Sequence, residues 1–181
     1  MAYRPLAVTA LVGAGLICAA PACAANHGWK TTADVGEVGL LGLALGKSVA
    51  DQDWKGAEEL GLSVGSTALL TTGLKYAIPE ERPDHSDNKS FPSGHTSLSF
   101  AAAGYLQKRY GWQWGLPATL VASVVGLSRV ESKDHHWYDV VAGAALGEAT
   151  AYFFTTPRDT DVKFLPWADS RGAGFVLAKR F

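Results

Sequence analysis

The sequence predicts an all-α fold: a bundle of about five apolar helices, followed by a short C-terminal extended or hairpin segment. Three observations carry this. Apolar stretches of helical length recur after residue 25, separated by charged or turn-rich loops. Alanine and leucine dominate them, and strict period-two alternation is absent. Gly, Ala, Ser and Thr are frequent inside them, and side chains that small let helices approach closely.

The elements follow in order. Residues 26–34 (NHGWKTTAD) read as a polar lead-in, and residues 35–50 form the first apolar segment. The second, residues 60–78, stops at Pro79, and Glu80-Glu81-Arg82-Pro83 lies beyond it. Asp84 to Lys89 (DHSDNK) is a polar loop leading into Pro92-Ser93-Gly94. Residues 96–106, 116–127 and 140–154 complete the set. The stretch 110–128 has no charge and is long enough to reach across a bilayer, although Pro117 interrupts it. Glu37, Lys47 and Glu148 lie in the other segments, where lipid would penalise them unless they face the bundle interior. In the tail, Phe175-Val176-Leu177 favours strand, after a glycine-containing turn at 171–174.

With 181 residues, the chain is expected to hold one domain, residues 26–181, after an export signal at residues 1–25. Arg4, the apolar run 6–20 and the small-residue zone Pro21-Ala22-Cys23-Ala24-Ala25 carry that expectation; an uncut membrane anchor is the competing reading. Both cysteines, Cys18 and Cys23, lie in this segment, so cleavage leaves no thiol or disulfide chemistry. The formal net charge of −1 argues against a nucleic-acid partner. A hydrophobic content of 48% with a mean hydropathy of +0.05 leaves membrane against periplasm open. Segment lengths favour membrane contact. Oligomeric state is not legible.

Three clusters carry chemistry. The first is Lys75 with Arg82-Pro83, where a lysine supplies a point charge and an arginine a bidentate fork for phosphate oxygens. Cations that merely mark where apolar helices leave the core would look similar one at a time. The second is Pro92-Ser93-Gly94-His95. It reads as a loop entering a helix, with Ser93 as N-cap, Gly94 allowing close approach and His95 beside an anion held at the helix N-terminus. The third is Ser128-Arg129 with His135 and Asp139. On a helix the last two, four apart, share a face, so the carboxylate fixes the tautomer and leaves one imidazole nitrogen as nucleophile or base. A metal at His135-His136-Asp139 is disfavoured, because adjacent helical histidines diverge and no Cys or Glu at ligand spacing completes the set.

Lys75, six residues, Arg82-Pro83; Pro92-Ser93-Gly94-His95; Ser128-Arg129, five residues, His135, three residues, Asp139: this ordered set resembles the three-part signature of the type 2 phosphatidic acid phosphatase superfamily. That superfamily also includes bacterial acid phosphatases and vanadium haloperoxidases. The resemblance spans residues 75–139, and the flanks carry no signature. It implies that His135 attacks phosphorus, Asp139 orients it, and His95 protonates the leaving group. It further implies that Lys75, Arg82, Arg129, Ser93 and the Gly94 backbone hold the phosphate oxygens, with no cofactor and no metal. The implied substrate is a phosphorylated lipid or a small phosphate ester, handled at the cell membrane facing the periplasm or in the periplasm. A soluble acid phosphatase, a haloperoxidase and a non-catalytic lipid-phosphate binder are the rivals.

Overall fold

A computed structural model describes residues 22–158, 162–169 and 172–179. Five helices make up the bundle: α1 (Ala22–Ala50), α2 (Trp54–Ala77), α3 (Gly94–Tyr110), α4 (Trp112–Glu131) and α5 (Trp137–Phe154). Strands β1 (Val162–Asp169) and β2 (Gly172–Lys179) pair antiparallel, with Val162 opposite Lys179 and Asp169 opposite Gly172. Residues 1–21, most of the expected export signal, lie outside the described residues.

The lead-in is not a loop. Residues 26–34 continue α1, because Ala33 is fully buried in the bundle and Lys30 forms an ion pair with Asp134 at 2.9 Å. Tertiary contacts thus override the local polarity. α2 begins at a true cap, where the Asp53 carboxylate accepts from the Gly56 amide at 3.0 Å. It ends just before Pro79, as its sequence requires. The uncharged run 110–128 is not one element. Gly111, at φ 89°, turns the chain between α3 and α4, while Pro117 sits inside α4 without ending it. No helix among the described residues is long and apolar enough to cross a membrane.

α3 is the central helix and packs against all four others. Its core positions are small, with Ala101, Ala102 and Ala103 fully buried around Tyr105 and Leu106. Contact with α5 is closest at two glycines: a Cβ on Gly147 would stand 2.2 Å from the Ser97 carbonyl, and one on Gly143 would stand 2.7 Å from that of Ser93. The interior also holds hydroxyl pairs between helices, Thr67 with Thr150 at 2.5 Å and Thr71 with Ser97 at 2.9 Å. By contrast, Leu69, Leu120, Val141 and Phe153 are exposed. Polar groups line the inside and many large apolar groups face out.

Candidate active site

The site forms where three loop-to-helix junctions meet. The loop after α2 folds back on itself: the Glu80 amide donates to the Asn88 carbonyl, the Arg82 amide to Asp87, and the Ser90 amide to the Glu80 carbonyl. Arg82 and Ser90 are thereby brought near each other. The Ser93 amide donates to the Asp139 carbonyl at 3.1 Å, which ties the start of α3 to the start of α5. Between α4 and α5, the amides of Asp134 and His135 both donate to the Arg129 carbonyl at 3.2 Å. That turn delivers His135 to the same place.

His135 is buried, and it is not on a helix. His136 is the N-cap of α5 and Asp139 its third residue, so the His135–Asp139 relation crosses a helix N-terminus instead of running along one face. Asp139 Oδ2 lies 3.6 Å from His135 Nδ1 and accepts from the Ser90 hydroxyl at 2.5 Å and from the His136 amide at 2.8 Å. With Nδ1 facing this carboxylate, Nε2 is the nitrogen left for a nucleophile. Burial, together with Lys75, Arg82 and Arg129, holds the His135 ring well below its ordinary pKa. Those causes favour the neutral ring.

The three predicted cations gather around this ring. Lys75, in the last turn of α2, donates to the Lys89 carbonyl at 2.7 Å; burial and Arg82 push its pKa down to about 8. Arg82 donates to Asp87 at 2.8 Å and to the Asp134 carbonyl at 3.1 Å. Arg129, in the last turn of α4, pairs with Asp134 at 2.9 Å, and its buried Nε has no hydrogen-bond partner among the described residues. An orphaned buried donor is costly unless an anionic oxygen reaches it.

Ser93 does cap α3, yet its hydroxyl bonds to Thr96 at 2.9 Å and not to a backbone amide. The first amides of α3, Gly94 to Thr96, have no helical carbonyl a turn earlier, an arrangement that favours an anion. His95 is one-third exposed, and its Nε2 faces two carboxylates of α1, Asp34 at 2.8 Å and Glu37 at 3.6 Å. Burial lowers its pKa, with Arg129 acting in the same direction and Asp34 opposing.

All eight predicted site residues thus fall in one region, and four more belong beside them. Ser90, Asp134, Asp34 and Glu37 touch these groups through contacts between distant segments, which spacing cannot reveal. Lys30, Asp34 and Glu37 at i, i+4 and i+7 were a visible signal, since they form one charged face on α1. The adjacent histidines do not diverge, because neither is inside the helix, and His136 Nδ1 stands 3.4 Å from the same Asp139 oxygen. Glu80 completes a set with His136 and Asp139 whose ligand atoms lie within 4.8 Å. The three cations around the adjacent His135 ring oppose a further positive ion there.

With this geometry in hand, comparison with known proteins is specific. The sequence model of the PAP2 superfamily matches residues 57–162. A lipid A 4'-phosphatase from Helicobacter pylori is 31% identical over 144 residues, covering 72% of this chain and 73% of that protein. Lipid phosphate phosphatase 2 of Arabidopsis thaliana is 39% identical over 127 residues, 57% of this chain and 42% of that longer protein. Among solved structures, Aquifex aeolicus LpxE superposes with a TM-score of 0.62 at 22% identity, covering 71% of this chain and 84% of its own. A transmembrane PAP2 type phosphatidylglycerolphosphate phosphatase from Bacillus subtilis superposes with a TM-score of 0.58 at 25% identity, covering 74% and 80%.

Proposed function

The chain belongs to the PAP2 superfamily and is a phosphatase of that family; on this premise we propose that it hydrolyses a phosphorylated lipid through a phosphohistidine formed at His135. The observation that carries the reading is the buried, neutral His135 ringed by Lys75, Arg82 and Arg129, with an unpartnered Arg129 Nε among them. His135 Nε2 attacks phosphorus while Asp139 and Ser90 hold Nδ1. The P–O bond to the alcohol breaks, and its electron pair takes a proton from His95. Water then attacks the phosphohistidine, giving a proton to His95; the N–P bond breaks and phosphate leaves. The cations, Ser93 and the α3 amides neutralise the equatorial oxygens, so the step needs positioning and charge with no metal.

A lipid substrate is favoured by the relatives named as lipid phosphatases and by the apolar surface of α4 and α5. An apolar groove of about 370 Å³ between α1 and α4, lined by Val35, Gly36, Val121 and Val124, offers space for a hydrocarbon chain. We place the protein at the membrane, with its site on the exported side. Phosphate release from phosphatidate, phosphatidylglycerophosphate, polyprenyl diphosphate and soluble monoesters tests the class. Activity is expected to survive EDTA and to fall with vanadate. Loss on chelation, or a clear preference for soluble esters, overturns this reading in its metal-free or its lipid part respectively.

A further inference from the structure

α1 carries none of the signature residues, yet it puts two carboxylates on the histidine that serves as acid. We propose that Asp34 and Glu37 are positioning residues for His95, fixing its ring and sustaining its protonated form while the leaving group departs. This rests on the phosphohistidine reading above and deepens it.

Three observations support the assignment. Asp34 Oδ1 lies 2.8 Å and Glu37 Oε2 3.6 Å from the same nitrogen, His95 Nε2. A carboxylate accepting Nε2–H sets the tautomer and leaves Nδ1 as the nitrogen that exchanges a proton with the substrate. Second, Glu37 is a mostly buried acid whose pKa rises to about 7 through burial and the neighbouring Asp34. Its environment is that of a working carboxylate more than of a solvated surface charge. Third, the α1 face is anchored to the phosphate end of the site. Lys30, one turn before Asp34, pairs with Asp134, which in turn pairs with Arg129.

The groups facing His95 are therefore Asp34 and Glu37 from α1, Arg129 from α4, and Asp134 from the turn before α5. Burial and Arg129 disfavour the imidazolium, and Asp34 and Asp134 oppose them. The proton balance is closed. In the first step the P–O bond breaks, the alkoxide takes the Nδ1 proton, and His95 becomes neutral with Nε2–H still on the carboxylates. In the second, water loses a proton to Nδ1 as its oxygen bonds to phosphorus, and His95 is again cationic. Asp34 and Glu37 exchange no proton with the substrate.

The test compares leaving groups in the full chain. p-Nitrophenolate departs as a stable anion, whereas an alkoxide needs the acid. Asp34→Asn with Glu37→Gln is expected to lower kcat/KM for an alkyl phosphate by about ten- to hundredfold while p-nitrophenyl phosphate changes less than about threefold. The basic limb of the alkyl phosphate profile should move to lower pH, because a lost carboxylate weakens the imidazolium. Asp34→Glu should restore part of the alkyl phosphate rate. Equal losses on both esters, an unmoved pH limb, or an unchanged alkyl phosphate rate overturns the assignment. Absence of phosphoenzyme in the wild type would instead remove the reading beneath it. Circular dichroism of each variant separates misfolding from either.

Discussion

The Ser90 hydroxyl donates to Asp139 Oδ2 at 2.5 Å, on the oxygen that faces His135 Nδ1 at 3.6 Å. Ser90 also stands 3.5 Å from that nitrogen, so it sits at the corner of a His135–Asp139–Ser90 triangle. It belongs to the loop after α2, while His135 lies in the turn before α5 and Asp139 in its first turn. The proposed nucleophile is thus held from two segments at once. A hydrogen bond to a charged group contributes about 1.5–3 kcal/mol. Ser90→Ala should therefore slow phosphoenzyme formation about ten- to hundredfold, read by single-turnover kinetics. Asp139→Asn should cost far more, on the order of 10⁴-fold, by analogy with other orienting aspartates.

Lys75 ties phosphate binding to pH. Its pKa is pushed down to about 8, so its charge is lost as the pH rises through that value. With p-nitrophenyl phosphate, KM is expected to climb above about pH 8. Lys75→Arg should remove that limb, since a guanidinium keeps its proton there. An identical limb in the arginine variant would assign the ionisation elsewhere.

His135 makes the opposite demand at low pH. Its ring is held neutral in the folded protein, whereas the unfolded chain takes up a proton near about pH 6.5. The unfolded state then binds more protons, so stability falls as pH drops below that value. His135→Asn should flatten this part of the stability curve measured by urea unfolding, while abolishing phosphoenzyme formation.

Packing of α5 on α3 is set by Gly147, where an added Cβ meets backbone atoms that have no room to yield. Gly147→Val should destabilise the bundle by about 1–3 kcal/mol or more, seen as a lowered Tm. Gly39→Ala is the contrast. Nothing lies within 4 Å of its Cβ position, and a helical glycine replaced by alanine gains about 0.5–1 kcal/mol.

At the far end of the bundle, Arg109 joins Asp53 at 2.5 Å, Glu59 at 3.2 Å and the Thr156 carbonyl at 2.9 Å. It clamps the starts of α2 and of the chain after α5 to the end of α3. Removing one partner of a buried pair costs about 3–5 kcal/mol. Asp53→Ala should therefore unfold at markedly lower urea, with the turnover of folded molecules unchanged.

Most of the architecture was legible. α2, α3, α4 and α5 each contain a predicted apolar segment, because helix length, alanine content and Pro79 are local properties. The lead-in and the run 110–128 misled for complementary reasons. Residues 26–34 are polar in sequence but are held in α1 by Ala33 burial and the Lys30–Asp134 pair. The uncharged 110–128 run is broken by the backbone at Gly111, which hydropathy does not register.

The sequence by itself determined the helical class and the phosphatase family, and it marked the eight residues proposed as the site, since identity and spacing in three short clusters carry them. Only the tertiary structure decided that His135 and Asp139 meet across a helix start, that Ser90 sits on the carboxylate, and that Asp34 and Glu37 reach His95. The Ser90, Glu37 and Asp34 relations join residues 45, 49, 58 and 61 positions apart. Such distances close through packing around α3, and no local pattern records them.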